Sequence, residues 1–329
     1  MNVRLSRRQL LGAGALLLAT ARPGRTQPGG KVYRVGILGS TSPKAHGPFA
    51  DAFRAGMRDL GYVEGKNVVY EFRWAEGDYS RLPGLAEELV RANVDVILTH
   101  GTPGSRAAKD ATTAIPIVIA ITGDAVATGL VQSFARPGGN ITGSSFSFPE
   151  VNAKRLELLK DAFPGLKRVA VLMNAGNQGN VVSFELMTRL ARTLTLEIAQ
   201  VLARSPEDFE AAFAQVPRVR GEALSVYEDA LFIAQAPRLA AMAEQHRLRS
   251  VGFREYAEAG GLLGFGVNFP DVWRRAAGFV DRIFKGARPG DLPMEQPVKY
   301  DTVVNLRTAK ALRVTISPKV RLRADTVIE

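Results

Sequence analysis

Residues 115–145 read IPIVIAITGDAVATGLVQSFARPGGNITGSS. The opening run, Ile115 to Ile121, is short, apolar and β-branched, which predicts a strand covered on both faces, as in a parallel sheet. Thr122, Gly123 and Asp124 follow, then a short helical pattern around Gly129 to Phe134. Arg136-Pro137-Gly138-Gly139-Asn140 is a dense turn signal. A second series of strand–helix units begins beyond it. The stretch therefore closes one α/β half and crosses into another. Open α/β sheets bind ligands outside the carboxyl ends of their strands, so loops of this kind are where function is sought.

Working outward, the first half alternates strand and helix. Val32–Leu38, Asn67–Phe72 and Val94–Leu98 read as strands. Phe49, Phe53, Met57 and Leu60 recur at helical spacing, and so do Leu82, Leu85, Leu89 and Val90. A further helix is predicted from Ala107. In the second half, helices are predicted over Val151–Phe163, Val181–Leu194 and Trp273–Phe284, with another running to about His246. Strands are predicted over Arg168–Met173, Leu196–Leu202, Ala223–Val226, Ser250–Phe253 and Leu262–Gly266. This alternation argues for an α/β protein built as two doubly wound, parallel-sheet lobes.

The pattern GDxVATGLVxSxARPGGNxTG, from Gly123 to Gly143, resembles the signature of the ABC transporter substrate-binding protein family that includes tryptophan- and tyrosine-binding members. Matches to it continue at Arg155–Lys160, Glu258–Leu262, Arg274–Ala277, Gln296-Pro297 and Val304–Leu306, so the resemblance covers nearly everything after residue 31. Ala125 departs from it, proline being usual there. The resemblance implies a type I periplasmic binding protein whose chain crosses repeatedly between lobes. Residues 31–143 and about 270–295 are then expected in lobe 1, and 144–269 in lobe 2, with 296–329 unassigned. It also implies a small organic ligand, an amino acid or related carboxylate, and an ABC permease as partner. Sensing for a receptor, or an enzyme on this fold, are the alternatives.

Composition bounds this reading. The chain has 329 residues, enough for two domains, and no cysteine, which excludes disulfides, thiolate metal sites, a cysteine nucleophile and a lipid-anchored form. The net charge of +11 brings nucleic acid to mind, yet Arg4, Arg7, Arg8, Arg22 and Arg25 supply nearly half of it before residue 27. The remainder is scattered, so no nucleic-acid partner is expected. Residues 1–26 read as an export signal peptide. They have a basic start, an apolar core from Leu10 to Ala19, and small residues at Ala19-Thr20-Ala21. Ser6-Arg7-Arg8-Gln9-Leu10-Leu11 resembles a twin-arginine motif, an ordinary secretory leader being the alternative. The apolar core is shorter than the roughly 20 residues of a membrane span. A soluble, monomeric periplasmic protein is expected.

No G-x-S-x-G elbow or H-E-x-x-H motif occurs, and three histidines without cysteine make a poor metal set. Neither enzyme chemistry nor a cofactor is expected. The predicted strand ends carry Ser40, Thr41, Gly101, Thr102, Thr122, Ser145 and Asn174, small groups that suit a carboxylate beside helix N-termini. Asp124 and Asp229 suit a ligand ammonium, and Tyr227, Phe253 and Phe265 offer rings to an apolar body. His100 also ends a strand and could reach a ligand, an ordinary loop histidine being the favoured reading. Each residue alone has a structural explanation; together they describe a ligand clamp.

Overall fold

The structure, a computed structural model, describes residues 31–329. The leader expected at residues 1–26 lies outside them. The first sheet holds β1 (Tyr33–Gly39), β2 (Val68–Trp74), β3 (Val96–Thr99), β4 (Ile117–Thr122) and β5 (Ile141–Ser145). Their spatial order is β2-β1-β3-β4-β5, with every pair parallel. The crossovers are α1 (Pro43–Asp59), α2 (Leu82–Arg91) and α3 (Gly101–Ala111). Helix α1 starts where Ser42 accepts from Ala45 N at 3.3 Å and Pro43 takes the first position. Its buried face carries Phe49, Phe53 and Met57, one turn apart.

The chain then runs through α4 (Phe148–Ala162), β6 (Arg168–Met173), α5 (Gln178–Thr193), β7 (Glu197–Leu202), α6 (Phe209–Gln215) and β8 (Ala223–Val226). After these come α7 (Ala230–Ala234), α8 (Ala236–Gln245), β9 (Arg249–Gly252), α9 (Arg254–Glu258), β10 (Leu263–Gly266) and α10 (Phe269–Phe284). The tail adds β11 (Asp301–Asn305), α11 (Leu306–Leu312), α12 (Pro318–Leu322) and β12 (Thr326–Ile328). The second sheet is ordered β12-β11-β10-β9-β8-β6-β7, parallel throughout except between β10 and β11. This is the α/β, two-lobed type I periplasmic-binding-protein fold, with one antiparallel pair inside it.

Helix α10 lies against α1 of the first lobe. It buries Phe269, Val272, Trp273, Phe279 and Val280, each large side chain adding about 1.5–3 kcal/mol of burial. The approach is close enough at Gly56 that a Cβ there would overlap the Arg274 carbonyl. Strands β11 and β12 extend the second sheet. The chain passes between the two sheets and their covering helices at residues 146–147, 267–268 and 296–300. Glu295, just before the third, pairs with the end of β5 through Ser145 N to Glu295 O, 3.0 Å.

Several local expectations change. The boundary placed after residue 143 falls inside β5, because Ser145 still pairs with Thr122 across a register shift. Gly143 there has φ +133, and a Cβ would stand 2.6 Å from Ile119 N. No helix forms over Gly129–Phe134. Gly129 takes φ +68, and Leu130 N and Val131 N both bond back to Ala125 O, so the apolar pair is buried by turns. Helix α3 begins at Gly101 rather than Ala107; Pro103 sits in its first turn, where a missing N–H costs nothing. The helix expected to reach His246 is broken at Gln235 into α7 and α8.

Candidate functional site

Each sheet carries its own topological switch point. In the first, β1 lies between β2 and β3; in the second, β6 lies between β7 and β8. Connections leave adjacent strands toward opposite faces there, opening a crevice at the carboxyl ends. Ser40 follows β1 and His100 follows β3; Asn174 follows β6, and Glu228 and Asp229 lie just past β8. The two crevices face each other. Their shared inner cavity, about 40 Å³, is lined by Ser40, His100–Pro103, Thr122 and Gly123 from the first lobe and by Asn177 and Glu228–Ala230 from the second. Its apolar wall is Ile121, Phe146, Phe148, Ile233 and Phe269. An outer cleft of about 530 Å³, lined by Thr41, Ser42, Asn174 and Arg204 among others, opens beyond it.

The first-lobe side is an array of donors. His100 occupies the N-cap position of α3 without a side-chain cap bond, so the first N–H groups of that helix remain without side-chain partners. Thr102 Oγ1 lies 3.3 Å from Thr122 Oγ1. Ser40 is 1% exposed and its Oγ makes no hydrogen bond. Such a donor, buried beside a helix N-terminus, suits an anion. The His100 ring stacks on His46 with centroids 4.2 Å apart and packs on Trp273. Burial pushes His100 down to about 4. His46, held by Thr41 Oγ1 at Nδ1, is also lowered by burial and by His100. Both imidazoles are therefore neutral at pH 7, leaving the donor array without a fixed cation.

The second-lobe side is a carboxylate. Asp229 is 3% exposed and caps α7 through Leu231 N, 3.0 Å. Its oxygens accept from Asn174 Nδ2 at 3.2 Å, Asn177 Nδ2 at 2.9 Å and Tyr79 Oη at 2.9 Å. Burial raises its pKa despite these donors. An arriving cation would hold it ionised. Its neighbour Glu228 is occupied by Arg155 of α4, which binds both Glu228 oxygens and the Phe265 carbonyl. The side chain of Arg155 is fully buried.

Of the residues singled out in the sequence, Ser40, Gly101, Thr102, Thr122 and Asp229 line the inner cavity, and Thr41 and Asn174 the outer cleft. Five do not. Asp124 caps its own turn through Val126 N and Ala127 N. Ser145 accepts from Ala125 N at 3.0 Å; a proline at 125 would lack that N–H, so Ala125 gains a bond where the family's usual residue cannot. Tyr227 packs in the core under α4 and α5, because it shares the strand face of Ala223 rather than that of Val226. Phe253 is 0% exposed against Tyr256 and the α7–α8 layer. Phe265 stacks on Tyr300, and its carbonyl, not its ring, reaches Arg155. Tyr79, Asn177, Phe146, Phe148, Ile233 and Phe269 were not anticipated. Phe146 and Phe148 follow β5, just beyond the stretch that closes the first α/β half.

The chain belongs to the family described as ABC transporter substrate binding protein, which it matches over residues 35–328. A tyrosine-binding protein of Clostridioides difficile is 26% identical over 277 residues, spanning 84% of this chain and 78% of the relative. A solved conserved domain protein from Vibrio cholerae superposes with TM-score 0.84 at 26% identity, covering 90% of this chain and all of that one. An ABC domain in complex with L-Trp from Streptococcus pneumonia gives TM-score 0.83 at 23% identity, covering 91% of this chain and all of that one. Among the described residues no helix is long and apolar enough to cross a membrane, and no acidic, histidine or cysteine cluster could hold a metal ion.

Proposed function

We propose that this protein is exported, captures an α-amino acid between its lobes and delivers it to an ABC permease. The observation that carries the ligand class is the opposition of Asp229 to the α3 N-terminus across one cavity. A carboxylate in one lobe and an anion-seeking array in the other suit a zwitterion, whose two charges would draw the lobes together. The wall of Ile121, Phe146, Phe148, Ile233 and Phe269 suits an apolar or aromatic side chain. The names of the tyrosine-binding relative and of the L-Trp complex agree with that preference. The inner cavity is narrow, about 40 Å³, and parting of the lobes would widen it for entry.

Calorimetry with an amino acid, its amide and its deaminated acid tests the two anchors separately. Thr102→Val is expected to weaken the amino acid about tenfold and the amide less, since the charge-assisted bond exists only with the carboxylate. Asp229→Asn is expected to weaken the amino acid tenfold to a hundredfold and the deaminated acid little. Equal losses for all three ligands would leave Asp229 as a helix cap and Thr102 as a partner of Thr122 within the first lobe. A thermal-shift screen in which no α-amino acid raises the melting temperature would remove the ligand class itself.

A further inference from the structure

We propose that Tyr79 is the latch of the cleft, tying closure of the lobes to recognition of the ligand's ammonium group and so setting how long the ligand stays bound. Tyr79 sits on the turn after β2, in the first lobe. Its hydroxyl crosses to the second lobe, donating to Asp229 Oδ1 at 2.9 Å and accepting from Leu231 N at 3.3 Å. Both capacities of the hydroxyl are thus spent on the other lobe. The ring is also the common wall of three spaces: the inner cavity, the outer cleft of about 530 Å³ and a side recess of about 190 Å³. Gly77 keeps the same turn close to Leu231, 3.6 Å from where its Cβ would stand.

The contact exists only when the lobes meet. Opening must break it, whereas ligand approach to the open cleft does not involve it. The latch therefore acts on departure rather than arrival. Its acceptor, Asp229, is the group proposed to take the ammonium. A cation there keeps the carboxylate charged and strengthens the bond from Tyr79. Hydroxyl and ammonium share one carboxylate, so a ligand without the amine closes the door less firmly.

The inference rests on the α-amino acid reading, and the experiment separates the two. Association and dissociation rates of L-tyrosine, L-phenylalanine and L-leucine are measured on wild type and on Tyr79→Phe. This variant keeps the ring and its packing. For whichever of them bind, koff is expected to rise about tenfold with kon within about twofold, the scale of one hydrogen bond to a charged group. The matching deaminated acid should show a smaller rise. An unchanged koff, or the same rise for acid and amino acid, overturns the latch and leaves the amino acid reading standing. A lowered melting temperature with unchanged rates would make the hydroxyl's bonds a matter of stability alone and overturn the latch. Failure of wild type to bind any of the three removes the underlying reading and the latch with it.

Discussion

Arg155→Met is expected to lower the unfolding free energy by about 3–5 kcal/mol, the usual cost of stranding one member of a buried ion pair. The side chains of Arg155 and Glu228 are 0% and 5% exposed. The guanidinium also donates to Asn152 Oδ1 at 3.1 Å and, through Nε, to the Phe265 carbonyl at 2.8 Å. Removing it leaves a carboxylate and a carbonyl enclosed without donors, which is what makes the loss large. Adding Glu228→Leu removes the stranded charge. The double variant is therefore expected to recover part of the stability in urea unfolding, a non-additivity that contacting residues show and distant ones do not. A single-variant loss below about 1 kcal/mol would place the pair among solvent-screened surface bridges. Arg155 also fixes the place of the cavity: α4 follows one inter-lobe segment, Phe265 precedes another, and Glu228 adjoins Asp229. Ligand affinity in Arg155→Met should fall as well.

The second large effect is on pH dependence. Glu255 opens α9, with both carboxylate oxygens enclosed and neither making a well-formed hydrogen bond. Burial pushes it up to about 7, only partly offset by its own N–H, Arg254 and the Phe269 N–H. The unfolded chain titrates near 4.5. The folded state thus holds the proton more tightly between these values, and the stabilisation present below pH 4.5 is lost as pH rises to 7. The difference corresponds to about 3 kcal/mol. His100 acts oppositely: lowered to about 4 by burial, it destabilises as pH falls from 6.5. Burial lowers His46 as well, so Glu255 is expected to offset only part of the destabilisation that the two histidines bring as pH falls through 6.5–4.5. In Glu255→Gln the falling limb disappears. The variant should match wild type near pH 4.5, exceed it by about 3 kcal/mol at pH 8, and lose stability steeply as pH drops from 6.5. Melting temperatures of both proteins across pH 4–8 decide this; a constant difference between them would mean that Glu255 titrates as it does in water.

The α/β class, the alternation of elements and the loops that line the cleft were legible in residue order. An apolar, mostly β-branched run such as Ile117–Ile121 has few structural options, and Ser40, Thr102, Thr122, Asn174 and Asp229 are readable as cleft-lining residues because a parallel sheet delivers strand ends to one edge. Three things were decided only in the tertiary structure. The rings of Tyr227 and Phe253 lie in cores: periodicity fixes which residues share a face, but not which helix covers it. The partner of Tyr79 is 150 residues away, and no local pattern encodes a contact made when two folded lobes meet. The charge state of the site is also collective. Glu228 and Asp229 are adjacent carboxylates in sequence, yet Arg155 neutralises one while burial raises the pKa of the other. Desolvation and pairing depend on what is packed around a group, which the chain acquires only once it has folded.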